Sequence, residues 1–232
     1  MFIILFISCV LYTKITVYQM QWEAVHNIKS SHYKVHKTWL GEHLDKRFDE
    51  IIELDMSYNH EYFKNNIHAI RNLPFLQIIN VTLSDFDDKS MESIRYCYNL
   101  KELYASDTQI TNAGISNLEN LKHLKIVYLD NTLISNDCLK YIISSRNILN
   151  LSFRGTKIND SSLKYIKYFK NLESLDLSIS SVNDITDLRN CANLTSLKLS
   201  NTSVSDEYMT ELSNLHSIKR LNINHTKITD IS

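Results

Sequence analysis

LKIVYLDNTLISN at residues 124–136 comes back as ILNLSFRGTKIND at 148–160, and the two segments agree slot for slot. Apolar residues fill the first, fourth and sixth places, a threonine the ninth and an isoleucine the eleventh. Working outward, the same spacing appears upstream as Leu100, Leu103 and Ala105, and downstream as Leu172, Leu175 and Leu177. It continues through Leu194, Leu197 and Leu199 to Ile218, Leu221 and Ile223. Two looser copies, Ile51-Leu54-Met56 and Leu76-Ile79-Val81, bring the number of units to eight. The central residues Leu54, Ile79, Leu103, Val127, Leu151, Leu175, Leu197 and Leu221 lie 24 residues apart, except for a first interval of 25 and a penultimate one of 22. A fixed period of this length means a solenoid, in which each coil buries its apolar face against its neighbours.

Each slot has a physical task. The alternation of apolar and variable residues around the central position predicts a short strand with two side chains inward and the intervening one outward. Thr108, Thr132, Thr156, Ser180, Thr202 and Thr226 then place a hydroxyl where the chain turns, able to bond buried backbone groups. Ile110, Ile134, Ile158, Val182, Val204 and Ile228 return to the core. The remainder of each unit predicts a helical return leg. Asp88, Asn112, Asn136, Asp160 and Asp206 each precede an apolar residue by three and read as helix N-caps. The short unit has Asp187 where the apolar residue belongs, which predicts a tighter 3₁₀ leg.

Residues 48–232, with their L-x-x-L-x-L-x-x-T-x-[IV]-[ST]-[DN] units, resemble bacterial leucine-rich-repeat proteins. The resemblance implies an α/β solenoid of about eight coils, with a parallel concave sheet and a helical convex side, ribonuclease-inhibitor-like in architecture. It also implies a binding scaffold and supplies no catalytic residues. Gln21, Ala24, Val25 and Ile28, with Trp39-Leu40-Gly41, are similar to the juxtamembrane stretch of membrane-anchored members.

Composition narrows the chemistry. Three glycines and one proline in 232 residues leave no phosphate-cradling glycine loop. The formal net charge of −1 gives no long-range pull toward nucleic acid or anionic lipid, so a polyanion ligand is disfavoured, no nucleic-acid partner is expected, and the lysines from Lys164 to Lys170 read as a solvated convex face. Cys97 and Cys191 share a slot about four coils, or about 20 Å, apart, which predicts free thiols and no disulfide. No G-x-S-x-G elbow, H-E-x-x-H pair or Walker run occurs, so no enzyme, no cofactor and no metal site is expected. His32 and His36 are spaced to share a helix face, with His26 and His43 nearby, but no fixed cysteine or carboxylate completes a zinc set.

The ends read differently from the array. Residues 1–20 form an apolar leader, MFIILFISCVLY followed by a mixed stretch, of the kind that signals export or anchors a chain in a membrane. Residues 21–47 then serve as a juxtamembrane segment and N-terminal cap, with Trp39, Leu40, Leu44 and Phe48 on an amphipathic face. This places the chain at a membrane or outside the cell; a cytoplasmic location with an artefactual leader is the alternative. Thr229-Asp230-Ile231-Ser232 stands where another return leg begins, so the last coil lacks a cap. Either the chain is a fragment or this edge self-associates.

A protein ligand is expected on the outward strand positions. The candidate contact set is Ile78, Asn80, Glu102, Tyr104, Ile126, Tyr128, Asp130, Ser152, Arg154 and Asp176, centred on two stacked tyrosines. A structural tyrosine ladder accounts for the same pair. The function expected is a protein-interaction scaffold attached to a membrane, the alternative a cytoplasmic adaptor resembling a substrate receptor, and the remotest an enzyme with scattered residues.

Overall fold

A computed structural model describes residues 32–36, 50–58 and 67–229. Its centre is one sheet of nine strands in chain order. β2 (Glu50–Asp55), β3 (Ile78–Asn80), β4 (Glu102–Tyr104), β5 (Ile126–Tyr128), β6 (Asn150–Ser152), β7 (Ser174–Asp176), β8 (Ser196–Lys198) and β9 (Arg220–Asn222) run parallel. Coils are numbered 1–8 from these strands. The register lines up Leu54, Ile79, Leu103, Val127, Leu151, Leu175, Leu197 and Leu221 in one row, as the spacing requires.

β1 (His32–His36) precedes the repeats. It lies antiparallel on β2, with a register irregularity between Lys34 and Val35, and covers the sheet's first edge. His32 and His36 are therefore strand residues, about 13 Å apart along the backbone, and not the helical pair their spacing suggested. The leader at 1–20 and the amphipathic face from Trp39 to Phe48 lie outside the described residues.

The core is a set of columns running the length of the stack. Every inward residue from Leu100 to Leu199 in the triplet slots is at most 1% exposed. Coil 8 is the exception: Leu221 is 42% exposed, and Ile218, Ile223 and Ile228 are only half-buried.

The hydroxyl row closes each strand. Thr108, Thr132, Thr156, Ser180, Thr202 and Thr226 donate to the carbonyl three residues back at 2.6–2.8 Å, and Ser84 does the same to Val81 in coil 2. The residue just before each of these hydroxyls is left-handed, with φ between 53° and 69°: Leu83, Asp107, Asn131, Gly155, Ile179, Asn201 and His225; Tyr58 holds the matching slot in coil 1. That conformation turns its amide toward the next coil. Asp107 thus donates to the Asp130 carbonyl, Asn131 to Arg154, Gly155 to Ser178 and Ile179 to Ser200. In coils 1–7 this cross-coil bond offsets the cost of an unfavourable backbone, and Asp107, Asn131, Asn201 and His225 are of types that tolerate it.

The return legs are short. Helices span Asp88–Ile94, Asn112–Ile115, Asp160–Leu163 and Met209–Ser213, while coil 4 has only a 3₁₀ turn at Cys138–Tyr141. The short coil is 3₁₀ over Thr186–Asn190, in agreement with its sequence. The caps sit one residue earlier than the spacing suggests: Asp87, Thr111 and Asn159 accept from amides of the first turn. The predicted cap residues reach into the next coil instead. Asp88 accepts from the Thr111 and Gly114 amides at 2.7 and 3.0 Å, Asn112 from Ser135 at 2.9 Å, and Asn136 from Asn159 at 2.8 Å. Asp160 accepts from Asn183 and Asp184, and Asp206 from Thr229. Each latch ties one coil's cap to its predecessor. Among the described residues no helix is long and apolar enough to cross a membrane.

Candidate functional site on the concave sheet

Two residues of each strand face outward, and the register sets them in two columns. One runs Glu53, Ile78, Glu102, Ile126, Asn150, and the other Asp55, Asn80, Tyr104, Tyr128, Ser152. The short strands hold these side chains on a sheet pinned on both sides by neighbours, so the surface is preformed.

Tyr104 and Tyr128 meet edge to face, ring centroids 5.3 Å apart and planes at 86°. This geometry sets the positive edge of one ring against the negative face of the other. The Tyr104 hydroxyl donates to Glu102 Oε2 at 2.7 Å, which fixes the ring on its own strand. Burial, followed by the Glu102 carboxylate, pushes the Tyr104 phenol well above its usual range, so the group stays a neutral donor. Ile78 and Ile126 flank Glu102 in register, both half-buried. Together these residues make a half-exposed aromatic and aliphatic patch across coils 2–4.

Beyond the patch the surface turns inward. Asp130 Oδ1 accepts from the Ser152 hydroxyl at 2.5 Å and from the Arg154 amide at 2.8 Å. Its carboxyl is raised above the usual value, by burial first and by nearby Asp176 as well, against the lowering effect of those two bonds. Asp176 accepts from the Ser178 amide at 2.9 Å and pairs with Lys198 at 3.1 Å. Ser152 and Asp176 are buried. Asn80 closes a local turn onto the Thr82 amide at 3.1 Å, and Arg154 stands exposed. The ten expected contact residues thus divide. Ile78, Glu102, Tyr104, Ile126 and Tyr128 come together as surface; beside them Asp130 holds Ser152, and Asp176 turns to the Ser178 amide and Lys198.

A feature outside that set lies at coils 6–8. Ser174, Ser196, Lys198, Lys219, Arg220 and Asn222 line a concavity of about 590 Å³. Lys198 and Arg220 are outward positions by strand alternation; the register sets Arg220 beside Ser196 and Lys198 beside Asn222, and all four line the concavity. Among the described residues no three His, Cys, Asp or Glu side chains converge as metal ligands. Cys97, Cys138 and Cys191 are buried free thiols, each pushed up to about 12 by burial, and so are not poised as nucleophiles.

No protein-family model and no curated protein matches the sequence. Solved structures do match its fold. Internalin C2 from Listeria monocytogenes is 21% identical, with 77% of this chain and 81% of that one covered and a TM-score of 0.60. A leucine-rich-repeat protein of Leptospira interrogans is 16% identical, with 81% and 64% covered and a TM-score of 0.51. PEPR1, in its complex with AtPEP1, is 15% identical over 78% of this chain but only 24% of its own length, with a TM-score of 0.54. At these identities the likeness is one of fold.

Proposed function

We propose that this leucine-rich-repeat solenoid is a protein-interaction scaffold whose partner binds the concave sheet over coils 2–4, and that the apolar N-terminal run holds it at a membrane. The observation that carries the binding reading is the edge-to-face pair of Tyr104 and Tyr128, half-exposed and flanked by Ile78 and Ile126 on a preformed sheet. Aromatic side chains with polar tips, held rigid before contact, are the residues that anchor interfaces at small entropic cost. PEPR1 carries its bound AtPEP1 on the same general fold, which supports a proteinaceous ligand here.

The test is affinity capture with the full chain, wild type against Tyr104→Ala with Tyr128→Ala, read by quantitative mass spectrometry. The reading expects a protein retained by wild type and lost by the variant, whose circular dichroism stays that of the parent. Identical retention lists make the pair a ladder that stiffens the sheet, and the binding reading then fails. Cell fractionation tests the membrane part: a fully soluble chain rejects it.

A further inference from the structure

Charge in this chain is segregated by coil. From Asp137 to Glu173 stand seven Lys or Arg residues and three acids, Asp137, Asp160 and Glu173, a local excess of four in a chain of net charge −1. Asp160 Oδ1 is already engaged by the amides of Asn183 and Asp184 at 2.7 and 2.9 Å. Of the seven cations only Arg154 belongs to the concave side. The other six, Lys140, Arg146, Lys157, Lys164, Lys167 and Lys170, lie on the return legs and turns of coils 4 and 5. Periodicity stacks them: Lys140 and Lys164 occupy one slot on adjacent coils, and Arg146 and Lys170 another. Asp137 takes part of the charge, pairing with Lys140 at 3.3 Å.

Tyrosines are interleaved with these lysines. Lys140, Lys164 and Lys167 each place Nζ 4.9–5.4 Å from the ring centroid of the tyrosine that follows, Tyr141, Tyr165 and Tyr168. Tyr165 is half-buried against the core, and Tyr168 is 41% exposed. We propose that the convex face of coils 4 and 5 docks on a bilayer surface rich in anionic lipid headgroups. Three properties select this occupant. The excess positive charge complements a negative headgroup layer. Lysine stems and tyrosine rings are apolar with polar tips, the chemistry suited to the water–headgroup boundary. A nucleic-acid strand fits less well, because the ring faces that bases stack on are occupied by ammonium groups and a convex face offers no groove to track a backbone. This inference is independent of the concave reading.

The test is co-sedimentation of the full chain with vesicles of phosphatidylcholine alone, and with vesicles in which phosphatidylserine makes up about a third of the lipid. The proposal expects binding to the anionic vesicles at least about tenfold above neutral ones, lost near 1 M salt, where the screening length shrinks to about 3 Å. At about fivefold per cation, Lys164→Gln, Lys167→Gln and Lys170→Gln together weaken it roughly a hundredfold. These side chains are exposed, so the variant melts as the parent does. Equal binding to both vesicles overturns the proposal and assigns attachment to the apolar N-terminal run. Undiminished binding by the triple variant overturns it too. So does binding of a single-stranded RNA oligomer as tightly as the anionic vesicles, which makes the face a general polyanion surface. Tyr104→Ala with Tyr128→Ala leaves vesicle binding unchanged, so loss of partner capture and loss of lipid binding are separable results.

Discussion

Gly155 is the one glycine in the left-handed row, and its neighbour explains why. A Cβ built there falls 2.1 Å from Asn131 Oδ1, the side chain in the matching slot one coil back, and φ is +69°. Gly155→Ala therefore meets two costs. A non-glycine residue in this conformation costs about 1 kcal/mol. Asn131 must also swing away from its 2.9 Å bond to Asp107, an exposed contact worth about 0.5 kcal/mol. The narrower unfolded ensemble of alanine offsets about 0.5 kcal/mol. The expected net loss is about 1 kcal/mol, or a melting temperature lowered by about 2–4 °C for a chain of this size. Urea titration followed by far-ultraviolet circular dichroism measures it. In an Asn131→Gly background the obstacle is gone, and the cost of Gly155→Ala falls by about half. An unchanged cost in that background refutes the steric argument, and a stabilising Gly155→Ala refutes the left-handed geometry itself.

Two further predictions concern titration and reactivity. The Asp130 carboxyl is raised in the folded chain above its ordinary 3.8, so its favourable contribution is complete below 3.8 and is lost as pH rises through the folded value. The stability of wild type relative to Asp130→Asn, which keeps the acceptor oxygen, should fall as pH climbs from 3.8 toward neutrality; a flat difference rejects the assignment. Cys97, Cys138 and Cys191, pushed up to about 12, should resist iodoacetamide in the native chain at neutral pH and react once denaturant is added, as peptide mapping would show. Rapid labelling of Cys138 in the native state contradicts its burial in the coil 4 leg.

The strand rows were legible because an apolar slot repeated eight times can be satisfied by only one register, and a slip by one residue turns every core side chain outward. Thr108, Thr132 and Thr156 were legible for a related reason: a hydroxyl recurring at a turn has a backbone carbonyl to satisfy. The left-handed row was not legible. Asp107, Asn131, Gly155, Asn201 and His225 are of types that tolerate this backbone, but Tyr58, Leu83 and Ile179 are not, and there the cross-coil amide bond holds the conformation. The helix caps were misplaced by one because coils 2 and 5 carry suitable acceptors in both slots, Asp87 beside Asp88 and Asn159 beside Asp160. Only the geometry tells the one that caps its own leg from the one that latches the next. On the concave sheet, alternation identified the outward positions. It could not tell Tyr104, with its ring at the surface, from Asp176, which the Ser178 amide and Lys198 draw inward.

The formal net charge bears on an anionic surface only where charge is spread evenly, and a solenoid does not spread it evenly. A total summed along the chain averages over coils and faces, and here acids in coils 6 and 7, such as Asp184, Asp187, Glu207 and Glu211, cancel the lysines of coils 4 and 5. Those groups stand on other legs: coil 6 adjoins coil 5, but coil 7 lies about 10 Å from it at sheet spacing, beyond the screening length of about 8 Å at physiological ionic strength. A surface meeting coils 4 and 5 therefore sees their local excess and not the sum. The same one-dimensional construction separates the two proposed surfaces. Each coil contacts only its neighbours, the tyrosine pair lies on the sheet, and the lysines lie across the core on the return legs. Substitutions at Tyr104 and at Lys164 share no partner and should combine additively. Non-additive effects on lipid binding would mean that the two faces communicate through the stack, which the nearest-neighbour architecture argues against.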